Sequence, residues 1–355
     1  MTLLWCKNKC RQWIRKILAD HKKIACIVNF FRYKNDPNYI ESFLKINKNP
    51  NAIEIRNYGS HNTDKNIFFI EIQGEMGIGA FLRQTLHALY EADRLGFVPV
   101  VKYHESCPCK AVEPIHGTNN PFEYYFFPVS GISLDEVYQS QRVFLFRYAH
   151  LYRIEEYFGN LNPTLVAGYR INDDYMEQMA QITKKYIHLQ QDTEIYINNG
   201  LLKLFGNNMI GNRVLAIHIR GTDYALKWEN HPKMLMPTDY FSVIDSLLDR
   251  SFDMLFLATD DCSRLEAFKE RYGSRLLYYD DTFRGSGSVN IAYERQFGEN
   301  DGYKNGLEAL RDMYSIAACD GFIGGLSQIA IMAQIIRLSK GEDFKYLKVL
   351  DKGIH

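Results

Sequence analysis

The chain has 355 residues, a length that fits about two domains of ordinary size. Hydrophobic residues make up 46% and charged residues 24%, which excludes disordered and fibrous classes. Lys plus Arg and Asp plus Glu both total 42, so no basic field exists to attract nucleic acid. The seven cysteines are odd in number and scattered, so no disulfide framework is expected and a reducing compartment follows.

Residues 1–34 read as a basic N-terminal segment. The first 23 residues carry seven Lys or Arg against Asp20 alone, and Leu4, Trp13, Ile14, Ile17 and Leu18 fit one helix face. Such a segment suits either peripheral contact with anionic lipid or a solvated helix capping the next domain. No long apolar run follows it, so it does not read as a secretory leader. The longest uncharged stretch, 321–336, has 16 residues and falls short of the ~20 that a membrane span needs. The expected location is cytoplasmic, with residues 1–23 available to the inner membrane face.

Residues 35–205 and 206–355 are expected to form two α/β domains. In the first, Ile67 to Ile72 is rich in β-branched and aromatic residues and predicts a strand. Gly74-Glu75-Met76-Gly77-Ile78-Gly79 breaks it. Phe81, Leu82, Leu86, Leu89 and Tyr90 then recur at helical spacing up to Gly96. Val98 restarts a strand, giving a βαβ unit and hence a parallel sheet. On that helix Arg83 and His87 read as surface residues. Residues 104–172 look loop-rich and aromatic, a natural acceptor surface on which Glu123 and Tyr124 stand out. Residues 173–205 read as helical as far as Asn199-Gly200.

From Gly211 strands are predicted at 214–219, 254–258, 275–279, 321–324 and 346–349. They alternate with helices at 238–248, 263–272, 304–318 and 328–338. That pattern predicts a doubly wound α/β domain, in which ligands gather at the C-terminal strand edge. The residues there are His218-Ile219-Arg220-Gly221-Thr222-Asp223-Tyr224, then Ala258-Thr259-Asp260-Asp261, then Gly324-Gly325-Leu326-Ser327-Gln328. Backbone N–H groups from Ser327 onward suit a phosphate, and Arg220 adds a cationic fork. Asp260, Asp261 or Asp312 could accept hydrogen bonds from a base such as guanine. Each piece also has a structural reading. Arg220 and Asp223 could be a plain ion pair, Asp260 or Asp261 a helix cap, Gly324-Gly325 a packing device, and Asp312 a partner for a neighbouring cation.

Other signals are weaker. Gly77-Ile78-Gly79 lacks the third glycine of a dinucleotide fingerprint, and no Walker A sequence occurs. Cys107-Pro108-Cys109 after His104-Glu105 fits neither structural zinc nor deaminase spacing. No Asp-x-Asp occurs, so neither a metal nor any other cofactor is expected.

The segment from His218 to Asp223 resembles the first motif of the fucosyltransferase superfamily. That superfamily holds the α1,6-fucosyltransferases, the nodulation-factor enzymes and the protein O-fucosyltransferases. Leu257-Ala258-Thr259-Asp260-Asp261 is similar to its second motif. Asp312 followed by Leu326-Ser327-Gln328 is similar to the third, and Gly77 to Gly79 to its first-domain loop. The likeness covers residues 66–103 and 211–337. It implies a bacterial-type GT-B glycosyltransferase with two Rossmann-like domains facing a central cleft. The implied reaction is inverting, metal-free transfer of fucose from GDP-fucose to a glycan hydroxyl. By position, Arg220 would hold the β-phosphate and His218 support the loop. Asp260, Asp261 and Asp312 would line the nucleoside pocket, Ser327 and Gln328 would touch the diphosphate, and Gly77 and Gly79 would face the donor. Asp223 and Glu229, with His231 behind them, are the candidate bases, and Glu229 leads. Where α1,6 enzymes carry a second arginine this chain has Gly221, and Tyr224 leans toward the α1,2 pattern. A different nucleotide-sugar donor and a non-catalytic sugar-nucleotide binder are the rival readings.

Overall fold

The computed structural model describes residues 54–74, 76–149, 169–206, 213–227, 231–285 and 301–355. The basic segment 1–34 and Glu229 lie outside them, as do Glu75 and the end of the loop-rich stretch.

The first sheet has four strands in the order β1-β4-β2-β3. These are β1 (Glu54–Arg56), β2 (Ile67–Gln73), β3 (Val98–Tyr103) and β4 (Val143–Ala149). β2 runs parallel to both β3 and β4, and β1 is an antiparallel edge. Helix α1 (Ile78–Leu95) makes the βαβ crossover and ends at Gly96, whose φ of 66° is left-handed. The expected unit is present, and the sheet is larger than the sequence suggested. β4 was hidden inside the stretch read as loop, although Val143-Phe144-Leu145-Phe146 is an apolar run of strand type. A single turn of helix, α2 (Leu134–Val137), precedes it with a complete capping box at Ser133 and Glu136.

The helical stretch 173–205 is two helices, α3 (Asp173–Tyr186) and α4 (Gln191–Phe205). The break falls at 187–190, not at Asn199-Gly200. Gly200 lies inside α4 because another side chain needs the space. A β-carbon there would lie 2.7 Å from Arg311 Cδ and 3.2 Å from Tyr279 Oη. Arg311 stacks on the Tyr279 ring at 3.8 Å, which explains why a poor helix former occupies this position.

The second sheet is parallel throughout, in the order β7-β6-β5-β8-β9. Its strands are β5 (Val214–Ile219), β6 (Met254–Thr259), β7 (Leu276–Leu277), β8 (Gly321–Gly325) and β9 (Tyr346–Leu350). The helices between them are α5 (Thr238–Leu247), α6 (Cys262–Tyr272), α7 (Asp301–Ala318) and α8 (Gln328–Ser339). All match the predicted series to within a few residues at their ends. The central strands are buried on both faces, as an all-parallel sheet requires.

One core joins the halves. Phe68 and Leu86 from the first βαβ unit pack in the same cluster as Met179 of α3, Leu310 and Met313 of α7, and Met332 and Ile335 of α8. The middle of α1 is therefore covered on all sides, and every residue from Phe81 to Leu89 is buried, while its last turn is exposed. Arg83 at 3% and His87 at 1% exposure are interior residues, contrary to the surface placement expected of them. Tyr124, a candidate acceptor contact, is fully buried as well.

Gly200→Ala tests the packing of Arg311. Helix propensity alone favours alanine by about 1 kcal/mol. The clash should outweigh that gain and destabilise the protein by about 1–3 kcal/mol, read as a lower urea midpoint. A raised midpoint would show that Arg311 is free to move aside.

Candidate functional site

Parallel pairing levels the ends of three strands, with His218 of β5 flanked by Ala258 of β6 and Gly324 of β8. The three sequence motifs therefore converge on one edge. Gly324 and Gly325 leave no room for side chains: a β-carbon on Gly325 would lie 2.6 Å from Leu235 Cδ1. Here the packing reading holds.

Asp260 fastens the loop after β5. Its carboxylate accepts from Gly221 N at 2.7 Å and Thr222 Oγ1 at 2.8 Å, and pairs with Arg220 Nη1 at 3.1 Å. Arg220 is thus oriented by Asp260 and lies 5.9 Å from the centre of the Tyr224 ring. The chain turns sharply here. Thr222 adopts a φ of 28°, a costly conformation for a β-branched residue, and its bond to Asp260 helps hold it. Gly221 is required for space. A β-carbon there would lie 2.5 Å from Asp261 Cβ and 2.7 Å from Arg264 Nη1. A second arginine at this position is sterically barred by the Asp261–Arg264 pair.

Asp261 is committed to structure. It caps α6, accepting from Ser263 N at 2.8 Å and Arg264 N at 3.2 Å, and pairs with buried Arg264 Nη1 at 2.6 Å. Burial pushes its carboxyl up, but the bond from Ser263 and the charge of Arg264 outweigh this and hold it below the usual carboxylate range.

His218 is buried, and that burial, with repulsion from Arg220, lowers it to about 3. It is neutral at working pH and acts as a spacer. Its Nδ1 is hydrogen-bonded to Ser327 Oγ at 3.2 Å, and its carbonyl accepts from Tyr240 Oη at 3.0 Å. Tyr224 Oη donates to the Leu326 carbonyl at 2.9 Å, a second stitch between the β5 loop and the entry to α8. Ser327 itself caps α8 by accepting from Ala330 N at 3.1 Å.

Two helix starts meet at this edge. Gly79, in the first turn of α1, faces the start of α8: a β-carbon there would be in ordinary contact, at 3.5 Å, with the Gln328 carbonyl carbon and Ile329 N. Gly77 begins α1 without a side-chain cap, and nothing lies within 4 Å of where its β-carbon would be. Gln328 is fixed from behind by Arg83, whose Nη1 donates to Gln328 Oε1 at 3.2 Å. Arg83 Nε also donates to Tyr175 Oη at 2.7 Å, and that hydroxyl is bonded to His87 Nε2 at 2.5 Å. The N-terminal dipoles of α1 and α8 thus come together within reach of one anion. Nothing in the residue order marks Arg83 for this role, because α1 is buried on every side from Phe81 to Leu89 and its periodicity does not mark an inner face.

Asp312 faces the same region from α7. It is partly exposed, and no described residue forms a hydrogen bond or ion pair with it. Burial raises its carboxyl to about 7; Arg284 and Arg311 pull it down, while Glu308 and Asp260 push it up. Arg311 is not its pair, since it binds Asp281 through two nitrogens at 3.0 and 2.7 Å. A carboxyl group with open acceptor capacity therefore stands near Asp260 and Arg284. Asp223 lies in the 3-10 turn Thr222–Leu226, its side chain outside the described atoms. The His231 ring sits edge-on to Tyr224 at 6.5 Å. Cys107 and Cys109 are buried free thiols, and among the described residues no group of three or more His, Cys, Asp or Glu could hold a metal ion.

No protein-family model matches the chain, and no curated protein does. The chain is similar in structure to several solved proteins, three of which follow. The NodZ α-1,6-fucosyltransferase co-crystallised with GDP gives a TM-score of 0.44 at 16% identity, covering 76% of this chain and 91% of that one. An Arabidopsis thaliana FUT1 mutant in complex with GDP gives 0.41 at 12% identity, covering 78% and 70%. POFUT1 in complex with GDP gives 0.39 at 11% identity, covering 78% and 98%.

Asp261→Ala separates scaffold from ligand contact. It removes the α6 cap and leaves Arg264 buried without its partner, so stability should fall by about 3 kcal/mol. Because the folded carboxyl is depressed, this contribution is present at neutral pH and is lost as pH falls through the folded value. Urea titrations at neutral pH and about pH 3 should show the gap between wild type and variant narrowing in acid.

Proposed function

We propose that this chain is a metal-independent, inverting glycosyltransferase that moves fucose from GDP-fucose to a glycan hydroxyl. The observation that carries the reading is the meeting of the α1 and α8 helix starts at the strand edge that bears Arg220, with the Asp312 carboxyl near Asp260. The first motif's likeness to the fucosyltransferase superfamily supplies the donor. Residues 206–355 hold the nucleotide, and residues 35–205 form the acceptor side.

In the reaction the bond between fucose C1 and the β-phosphate oxygen breaks as the acceptor oxygen bonds to C1 from the opposite face. Negative charge builds on the departing diphosphate. Arg220 and the two helix dipoles meet that charge, and they are already oriented before the reaction begins. Gly77 and Gly79 let the α1 backbone approach the donor, and Gln328, held by Arg83, presents its amide at the start of α8. His218, being neutral, spaces the loop without adding charge. The acceptor proton passes to a nearby base, for which Glu229 and then Asp223 are proposed, with His231 behind them. Asp312 accepts hydrogen bonds from the base of the donor. Asp260 serves the nucleoside side indirectly by holding Arg220, and Asp261 does so only through its support of the loop.

Arg220→Ala should lower turnover on the order of 10²-fold or more, measured as GDP released from GDP-fucose. Arg220→Lys should recover little, because a point charge does not reproduce the guanidinium fork. Wild-type turnover in a folded Arg220→Ala protein would reduce the arginine to an ion-pair partner of Asp260.

A further inference from the structure

A strap, residues 279–285, crosses the middle of α7 and is tied down along its length. Phe283 N donates to Glu308 Oε2 at 3.1 Å, and Arg311 grips Asp281 at 3.0 and 2.7 Å and Thr282 Oγ1 at 2.9 Å. Gly285 N donates to the Asp260 carbonyl at 2.9 Å. Arg284 is thereby held between the β6 edge and Asp312, which stands one helical turn beyond Glu308.

Arg284 is under-used by the protein. Its Nη1 donates to the Thr282 carbonyl at 3.1 Å, while its buried Nε has no acceptor among the described residues. Its charge is the strongest attractive influence on the Asp312 carboxyl, yet the two do not close into an ion pair. A half-buried arginine near a carboxylate gains by pairing with it where its backbone allows. The tied strap and the Thr282 bond keep this one apart. A fixed donor and a fixed acceptor, adjacent and unclosed, fit a ligand edge that carries an acceptor next to donors. Guanine has that edge: O6, then N1–H, then the 2-amino group. Adenine would set its 6-amino donor against the guanidinium.

We infer that Arg284 is a second reader of the donor's base, donating to guanine O6 while Asp312 accepts from N1–H and the 2-amino group. The assignment rests on the GDP-sugar reading above and adds a specificity residue to it.

Calorimetric titration with GDP, 6-thio-GDP and inosine diphosphate tests it. The sulfur analogue replaces the O6 acceptor with a weaker and larger one, and inosine diphosphate lacks only the 2-amino group. Wild type should prefer GDP over 6-thio-GDP by about 10-fold, the loss of one hydrogen bond to a charged group. Arg284→Met should bring that ratio near one while keeping the preference for GDP over inosine diphosphate. Arg284→Lys should restore the 6-thio ratio only in part. A residue acting only as counter-ion to Asp312 would weaken all three ligands alike and leave the ratio unchanged, which overturns the assignment. A wild-type ratio near one overturns it whatever the variants do. Absence of GDP binding to wild type removes the donor reading and this assignment together.

Discussion

The carboxylate of Asp260 is the constraint on which the site depends. One side chain at the end of β6 gathers a backbone N–H, a hydroxyl and a guanidinium from the loop after β5. Without it the loop would lose the partner that holds Thr222 at positive φ and points Arg220 along the strand edge. The neighbouring Asp261 does the complementary work, locking α6 and filling the volume that a side chain at position 221 would need. Two adjacent acids thus divide one task, and the glycine between Arg220 and Thr222 follows from that division.

The electrostatics agree with this geometry. Arg220 is positive, and beside it His218 is kept neutral by burial and by the arginine itself. The starts of α1 and α8 add partial positive charge at the same edge, and Arg83 behind Gln328 adds a full one. Such a concentration is unfavourable in isolation and is relieved by an anion. Asp312, raised to about 7, carries the opposite demand: a half-buried carboxyl group that gains by receiving donors. One side of the site suits a diphosphate, and the other suits a base with adjacent N–H groups.

Much of this was legible from residue order. The second sheet could be read strand by strand because fully buried parallel strands are short apolar runs with punctuated ends. The convergence of the three motifs followed from the rule that ligands gather at the strand C-termini. What was not legible depended on tertiary contact. Asp260 and Asp261 are adjacent and chemically identical, and only the direction of α6 decides which one caps it. Gly200 looks like a helix stop until Arg311 is seen against it. Arg83 and His87 look solvent-facing because a helix covered on every side has no polar face to betray. β4 is hard to read in the sequence because aromatic loop residues before it blur the start of its apolar run.

Calorimetric titration of GDP, UDP and ADP in the presence of EDTA, at about pH 8 and about pH 6, measures the central claim directly. The carboxylate form of Asp312 is the acceptor, and its raised value places the change of state near pH 7. The account predicts that at the higher pH GDP binds at least about 10-fold more tightly than UDP or ADP. That preference should shrink at the lower pH as Asp312 takes up a proton, and Asp312→Asn should show little of it at either pH. Equal affinity for all three nucleotides at both pH values, or GDP binding that requires a divalent metal, would contradict it.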